Sequence, residues 1–165
     1  MHNILTKQDI KKMEEEIEYR TVTLRYELLE EVKRTRAFGD LSENFEYKEA
    51  KRKKNQNESR IRYLTNMIRT AEIAEDDSDD ETVGLNDKVE CYMSDIDEVM
   101  EICIVTTVRT DAFSGMISNE SPLGKALLGA KLKSVVEVDS PDGVYEVEIL
   151  KITKGGAGDR PINSY

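Results

Sequence analysis

The chain has 165 residues, 38% hydrophobic and 35% charged, a balance too polar for one large core and better suited to two small units. No apolar run approaches the roughly 18 residues that span a bilayer, and Met1-His2-Asn3-Ile4 has no charged start followed by an apolar stretch, so a soluble, unexported protein with no membrane partner is expected. The net charge of -10 argues against a general nucleic-acid binder, yet it hides a division. From Lys33 to Arg62 ten bases stand against five acids, whereas from Glu75 to Glu101 twelve acids stand against Lys88 alone.

The first element is a helix starting at Thr6, where Thr6-Lys7-Gln8-Asp9 forms a capping-box pattern with Asp in the place of Glu or Gln. Ile10, Met13, Ile17, Leu24, Leu28 and Val32 follow at spacings of three, four or seven among charged neighbours, the narrow apolar face of a coiled-coil seam. After Gly39 the pattern restarts with Tyr47, Ala50, Ile61, Leu64, Ile68 and Ala71. No proline interrupts residues 5–82, so the two helices are expected to fold back on each other as an antiparallel hairpin. A turn near residue 41 sets Ile68 opposite Met13, Leu64 near Ile17 and Ala50 near Val32, and each arm of about 32 residues would be about 48 Å long. Lys54 and Asn57 fall in the seam toward the turn, so the tip half is expected to be less stabilised by burial than the base.

The acidic run at 75–81 closes this half, giving a hairpin domain at 1–76 and a solvated linker at 77–82. Beyond it the period changes to two. Strands are expected at 88–93, 100–106, 134–138 and 144–150, the last two joined by a turn at Pro141-Asp142-Gly143. Ser121, Pro122 and Gly129 mark the cap, first turn and end of one short helix. The two cysteines, Cys91 and Cys103, lie in predicted strands without a Cys-x-x-Cys pair and read as packing residues in a reducing, cytoplasmic compartment. The second half, 83–154, is thus a small α+β domain, and 155–165, opening with Gly155-Gly156-Ala157-Gly158, reads as a flexible tail.

Reactive residue types are scarce. The only histidine is His2, so no Ser-His-Asp or Cys-His arrangement has a base, and no glycine-rich phosphate loop is followed by Lys-Ser/Thr. Asp40 and Glu43 remain, three residues apart at the hairpin turn, close enough to share one hard cation through oxygen. Two ligands hold Mg²⁺ poorly, so such a pair would act only where a second site completes the shell. The alternative is that Asp40 caps the second helix and Glu43 completes a capping box. Spacing leaves both open.

Gly39-Asp40-Leu41-Ser42-Glu43-Asn44-Phe45-Glu46-Tyr47 resembles the tip of the bacterial transcript cleavage factors of the Gre family. The block from Ile117 to Gly129 and the ending Tyr145-Glu146-Val147-Glu148-Ile149-Leu150-Lys151-Ile152 are similar to the family's C-terminal motifs, so the resemblance spans about residues 5–153. It implies a factor that is not itself an enzyme. Its hairpin enters the secondary channel of core RNA polymerase, where Asp40 and Glu43 help hold Mg²⁺ shared with the polymerase and stimulate cleavage of backtracked RNA. Leu41, Ser42, Asn44 and Tyr47 would shape the tip, Arg36 and Lys51 would face the nascent RNA 3′ end, and Ser121 and Pro122, in an FKBP-like domain, would grip the channel rim. A non-cleaving inhibitor of polymerase fits the same fold. Arg109-Thr110-Asp111, Lys133-Ser134 and the ending from Lys154 depart from the family pattern, none of them at the tip.

Overall fold

The computed structural model describes residues 3–39, 44–75 and 78–164. The chain divides into two compact units, Met1–Glu72 and Ile73–Tyr165. Among the described residues no helix is long and apolar enough to cross a membrane.

The first unit is a helical hairpin with a small ribbon at its base. Strand β1, Asn3–Leu5, leads into α1, Lys7–Glu18, whose cap is the full reciprocal box: the Thr6 hydroxyl accepts from the Asp9 amide and the Asp9 carboxylate from the Thr6 amide. One wide turn, Tyr19–Leu24, has the Arg25 amide bonding five residues back to the Arg20 carbonyl, and α2, Arg25–Arg36, carries the arm on. The return arm is α3, Phe45–Arg69, which packs on α1 and α2. It stops earlier than the apolar pattern suggests. Thr70 ends the helix, and Ala71, expected on the helical stripe, lies in strand β2, Ala71–Ile73, paired with β1.

The seam follows the expected stripe, since every one of its helical residues is at least partly buried. Among the described residues of this unit, full apolar burial is confined to Leu5, Met13, Leu64 and Met67 near the base and Ala50 toward the tip. Each large side chain among these is worth about 1.5–3 kcal/mol when withdrawn from water. Between them buried polar groups enter the seam beside the partly buried aliphatics. Arg60 is buried and grips Glu16 through Nε at 2.9 Å and Nη2 at 3.3 Å, while buried Asn57 donates to the Arg20 carbonyl at 3.1 Å and accepts from the Arg20 guanidinium at 3.0 Å. The wide turn thus coincides with a backbone carbonyl that Asn57 holds.

The second unit is built on a five-stranded sheet in the order β5-β4-β3-β7-β6. Strand β3 is Lys88–Met93, β4 Glu98–Val105, β5 Met116–Ser118, β6 Val135–Ser140 and β7 Gly143–Thr153. All neighbours are antiparallel except β4 and β5, which run parallel. Strand β3 alternates cleanly, burying Val89, Cys91 and Met93 against Ile102, Ile104, Val138, Val147 and Ile149, and Leu127 of helix α4, Pro122–Leu127, closes the core. Both cysteines are free and buried, and burial alone pushes the Cys91 thiol up to about 11, the state of an inert packing residue.

Three features of the second unit differ from the sequence expectation. The short strand β5 is too brief to show a period. The acidic run ends inside the second unit, where Thr82 bridges Lys131 and the Glu81 carbonyl accepts from Leu132. The ending read as a flexible tail is tied down: Lys154 reaches Ser78, the Thr82 carbonyl and buried Asp87, Ala157 donates to Asn86, and Asn163 to Val108. Lys133, at the place where a turn glycine is missing, adopts the left-handed conformation with φ 62°.

Candidate functional site

The tip is built from the two helix ends that face each other across the turn. Helix α2 carries Lys33, Arg34 and Arg36 in its last turn, complementing the negative end of the helix dipole, and the chain then leaves through Gly39 at φ 109°. Helix α3 is capped by Asn44, whose Oδ1 accepts from the Tyr47 amide at 3.1 Å. The same side chain spends its two donors across the turn, to the Gly39 carbonyl at 2.6 Å and the Thr35 carbonyl at 3.1 Å. Thr35 is itself buried, its hydroxyl bonded to the Glu31 and Val32 carbonyls. One amide therefore satisfies orphan groups of both helices and ties the entry and exit of the loop together.

Asp40, Leu41, Ser42 and Glu43 lie outside the described residues. The structure nevertheless removes one of the readings open from spacing. Helix α3 begins at Phe45 and its cap is Asn44, the role that spacing offers to Asp40. Tyr47 and Lys51 come together one turn apart, with the Lys51 ammonium 5.1 Å from the centre of the Tyr47 ring. Arg36 is exposed, and its carbonyl accepts from the Gly39 amide. Arg34 and Arg52 are bridged to Glu31 and Glu49, which holds both carboxyls below the usual glutamate range.

Two aromatic residues flanking the loop were not foreseen. Phe38 and Phe45 are 61% and 74% exposed, with the Arg34 guanidinium 5.6 Å from the Phe38 ring centre and the Lys48 ammonium 5.7 Å from that of Phe45. Their signal in the sequence is that both stand off the apolar stripe, so neither has a packing role.

In the second unit Ser121 caps α4, accepting from the Gly124 amide at 3.0 Å and donating to the Ser118 carbonyl at 2.7 Å, with exposed Pro122 at the first helical position. Gly124 is required there, because a Cβ would lie 2.0 Å from the Ser118 oxygen. Nearby, Arg109 is buried and Thr110 accepts from Asn163, so the departures in this loop are built into the packing of the chain's ending.

Among the described residues no group of three or more His, Cys, Asp or Glu side chains is placed to hold a metal. By donor chemistry, Asp40 and Glu43 fit a hard cation only as part of a shared shell.

The sequence matches the family described as "Transcription elongation factor, N-terminal" over residues 3–73, and "Transcription elongation factor, GreA/GreB, C-term" over residues 78–154. It is 45% identical to transcription elongation factor GreA of Alkaliphilus oremlandii over 152 residues, covering 92% of this chain and 96% of that protein. The factor of the same name from Clostridioides difficile is also 45% identical, with the same coverage. A crystal structure of the GreA factor homolog 1 protein of Thermus thermophilus is similar at 26% identity with a TM-score of 0.43, covering 93% of this chain and 99% of that one. With both units matched in order, the chain belongs to the GreA/GreB family of transcription elongation factors.

Proposed function

We propose that this protein rescues arrested RNA polymerase by stimulating cleavage of backtracked RNA, the hairpin tip entering the polymerase secondary channel while the polymerase remains the catalyst. The observation that supports the reading is the clasp made by Asn44, which caps α3 and ties the two ends of the loop carrying Asp40 and Glu43 together. In this reading both acids serve a ligand shared with the partner. Mg²⁺ held between them and the polymerase would offset negative charge on the attacking and leaving oxygens of the phosphodiester.

What this chain's own residues do can be followed along the tip. Asn44 fixes the spacing of the loop ends, Leu41 and Ser42 complete the loop, and Tyr47 orients Lys51. Arg36 and Lys51 supply positive charge toward the phosphates of the RNA 3′ end. The second unit, an FKBP-like fold in this reading, docks at the channel rim through Ser121 and exposed Pro122 and positions the hairpin. The family implies a cytoplasmic setting.

The test is a purified core polymerase stalled on a backtracked transcript. Adding the protein should speed release of a short 3′ fragment, and Asp40→Asn or Glu43→Gln should remove that gain while leaving binding to polymerase intact. Equal cleavage by the double variant would sink the metal role. Slowed nucleotide addition with no fragment released would replace the reading with that of a channel-blocking inhibitor.

A further inference from the structure

Phe38 and Phe45 are set apart from the chain's other exposed apolar side chains by standing one residue outside the two ends of a clasped loop. Phe38 precedes Gly39 and Phe45 follows Asn44, and Asn44 and Gly39 are joined by the 2.6 Å hydrogen bond. Neither ring contributes to the seam, so burial does not account for it. Together they place two aromatic faces on either side of the loop, open to a ligand.

The neighbours of the rings indicate its chemistry. Arg34, itself bridged to Glu31, stands over Phe38, Lys48 over Phe45 and Lys51 over Tyr47, so three aromatic rings are interleaved with cations around one loop, the two lysines being the ones offered to phosphate. The segment from Lys33 to Arg62 is basic in a chain of net charge -10. Aromatic faces set among cations are how single-stranded nucleic acid is held: the cations meet the phosphates and the rings stack on unpaired bases. An apolar protein pocket would be matched by the rings but gives the cations no role.

We infer that Phe38 and Phe45 form a stacking platform for the unpaired bases at the RNA 3′ end. This rests on the proposed entry of the tip into a backtracked complex. Phenylalanine offers no hydrogen bond to a base edge, so the platform accepts any of the four bases, as a factor acting on nascent RNA of arbitrary sequence requires. It holds the displaced strand beside the loop that carries Asp40 and Glu43, leaving those acids to the ion.

The test places 2-aminopurine at the RNA 3′ end of a backtracked complex and reads its fluorescence together with cleavage. The full chain is compared with Phe38→Leu, Phe45→Leu and Asp40→Asn/Glu43→Gln, and polymerase binding is measured by competition. Stacking predicts quenching by the full chain and by the acid double variant. Each leucine variant should lose most of the quenching and need about fivefold more protein for half-maximal cleavage, from a stacking contact at the low end of its range. Quenching without any stimulated cleavage would overturn the proposed function and leave the platform standing. Cleavage without quenching would overturn the platform alone. Leucine variants that quench normally but bind polymerase less tightly would place the rings against protein and also overturn it.

Discussion

The side-chain amide of Asn44 donates to the Gly39 carbonyl at 2.6 Å while its oxygen accepts from the Tyr47 amide, so a single residue both starts α3 and closes the turn. The two functions separate by substitution. Asn44→Asp keeps the acceptor for Tyr47 but sets a carboxylate against the Gly39 and Thr35 carbonyls. Helix content should be unchanged and transcript cleavage at saturating protein should fall by an order of magnitude. Asn44→Ala removes the cap as well, at about 1 kcal/mol, and amide exchange at Tyr47 should accelerate.

Glu16 gives the hairpin a measurable pH dependence. Burial raises its affinity for a proton, but the hydrogen bonds from Arg60 and Arg20 outweigh this and hold the carboxyl below its ordinary value of 4.5. A carboxyl depressed in the folded state contributes stability above its unfolded value, and that contribution is lost as pH falls through the folded value. Glu16→Gln should therefore destabilise the hairpin by about 2 kcal/mol at pH 7, less than for a fully buried pair because Glu16 is partly exposed. Denaturant titrations followed by circular dichroism should show the gap between the two proteins narrowing as pH is lowered below 4.5.

Lys133 sits at φ 62° with its amide bonded to the Ile149 carbonyl at 2.7 Å. A residue with a Cβ is strained in this region, whereas glycine is not. Lys133→Gly should stabilise the second unit by about 0.5–1 kcal/mol, the relief of strain exceeding the added freedom of the unfolded chain. Lys133→Val should lower the melting temperature, since a branched Cβ tolerates the conformation least.

Asp87 is 1% exposed and accepts from the Gly84 amide at 2.7 Å, the Gly155 amide at 3.0 Å and the Lys154 ammonium at 2.5 Å. It fastens the chain's ending to the loop before β3. Asp87→Ala strands these donors and should cost about 3 kcal/mol, with limited proteolysis cutting after Lys154 well before the sheet unfolds.

Much of this was legible because the period of the apolar residues is a direct readout of element type. Met13 and Leu64 announced the seam, and Val89, Cys91 and Met93 announced a half-buried strand. What was not legible depended on partners distant in sequence. Arg60 reads as a solvated base until Glu16, 44 residues away, is placed against it. Three residues of β5 carry no period, and the docking of residues 155–164 depends on Asp87 and Val108. At the tip, Asp40 and Glu43 lie outside the described residues, and the cap belongs to Asn44, whose role depends on carbonyls that precede it in the chain.

The polar stretch in the seam sets a length as well as a stability. A purely apolar heptad seam can slip by a turn with little loss, since one aliphatic contact replaces another. A slip of one turn, about 5.4 Å, would take the Arg20 guanidinium from Asn57 and set Lys12 or Arg20 in the place of Glu16 against Arg60. The hairpin is therefore gauged: the distance from its base to its tip is fixed to less than a helical turn, the tolerance that the proposed delivery of a carboxylate to another protein's reaction centre would demand.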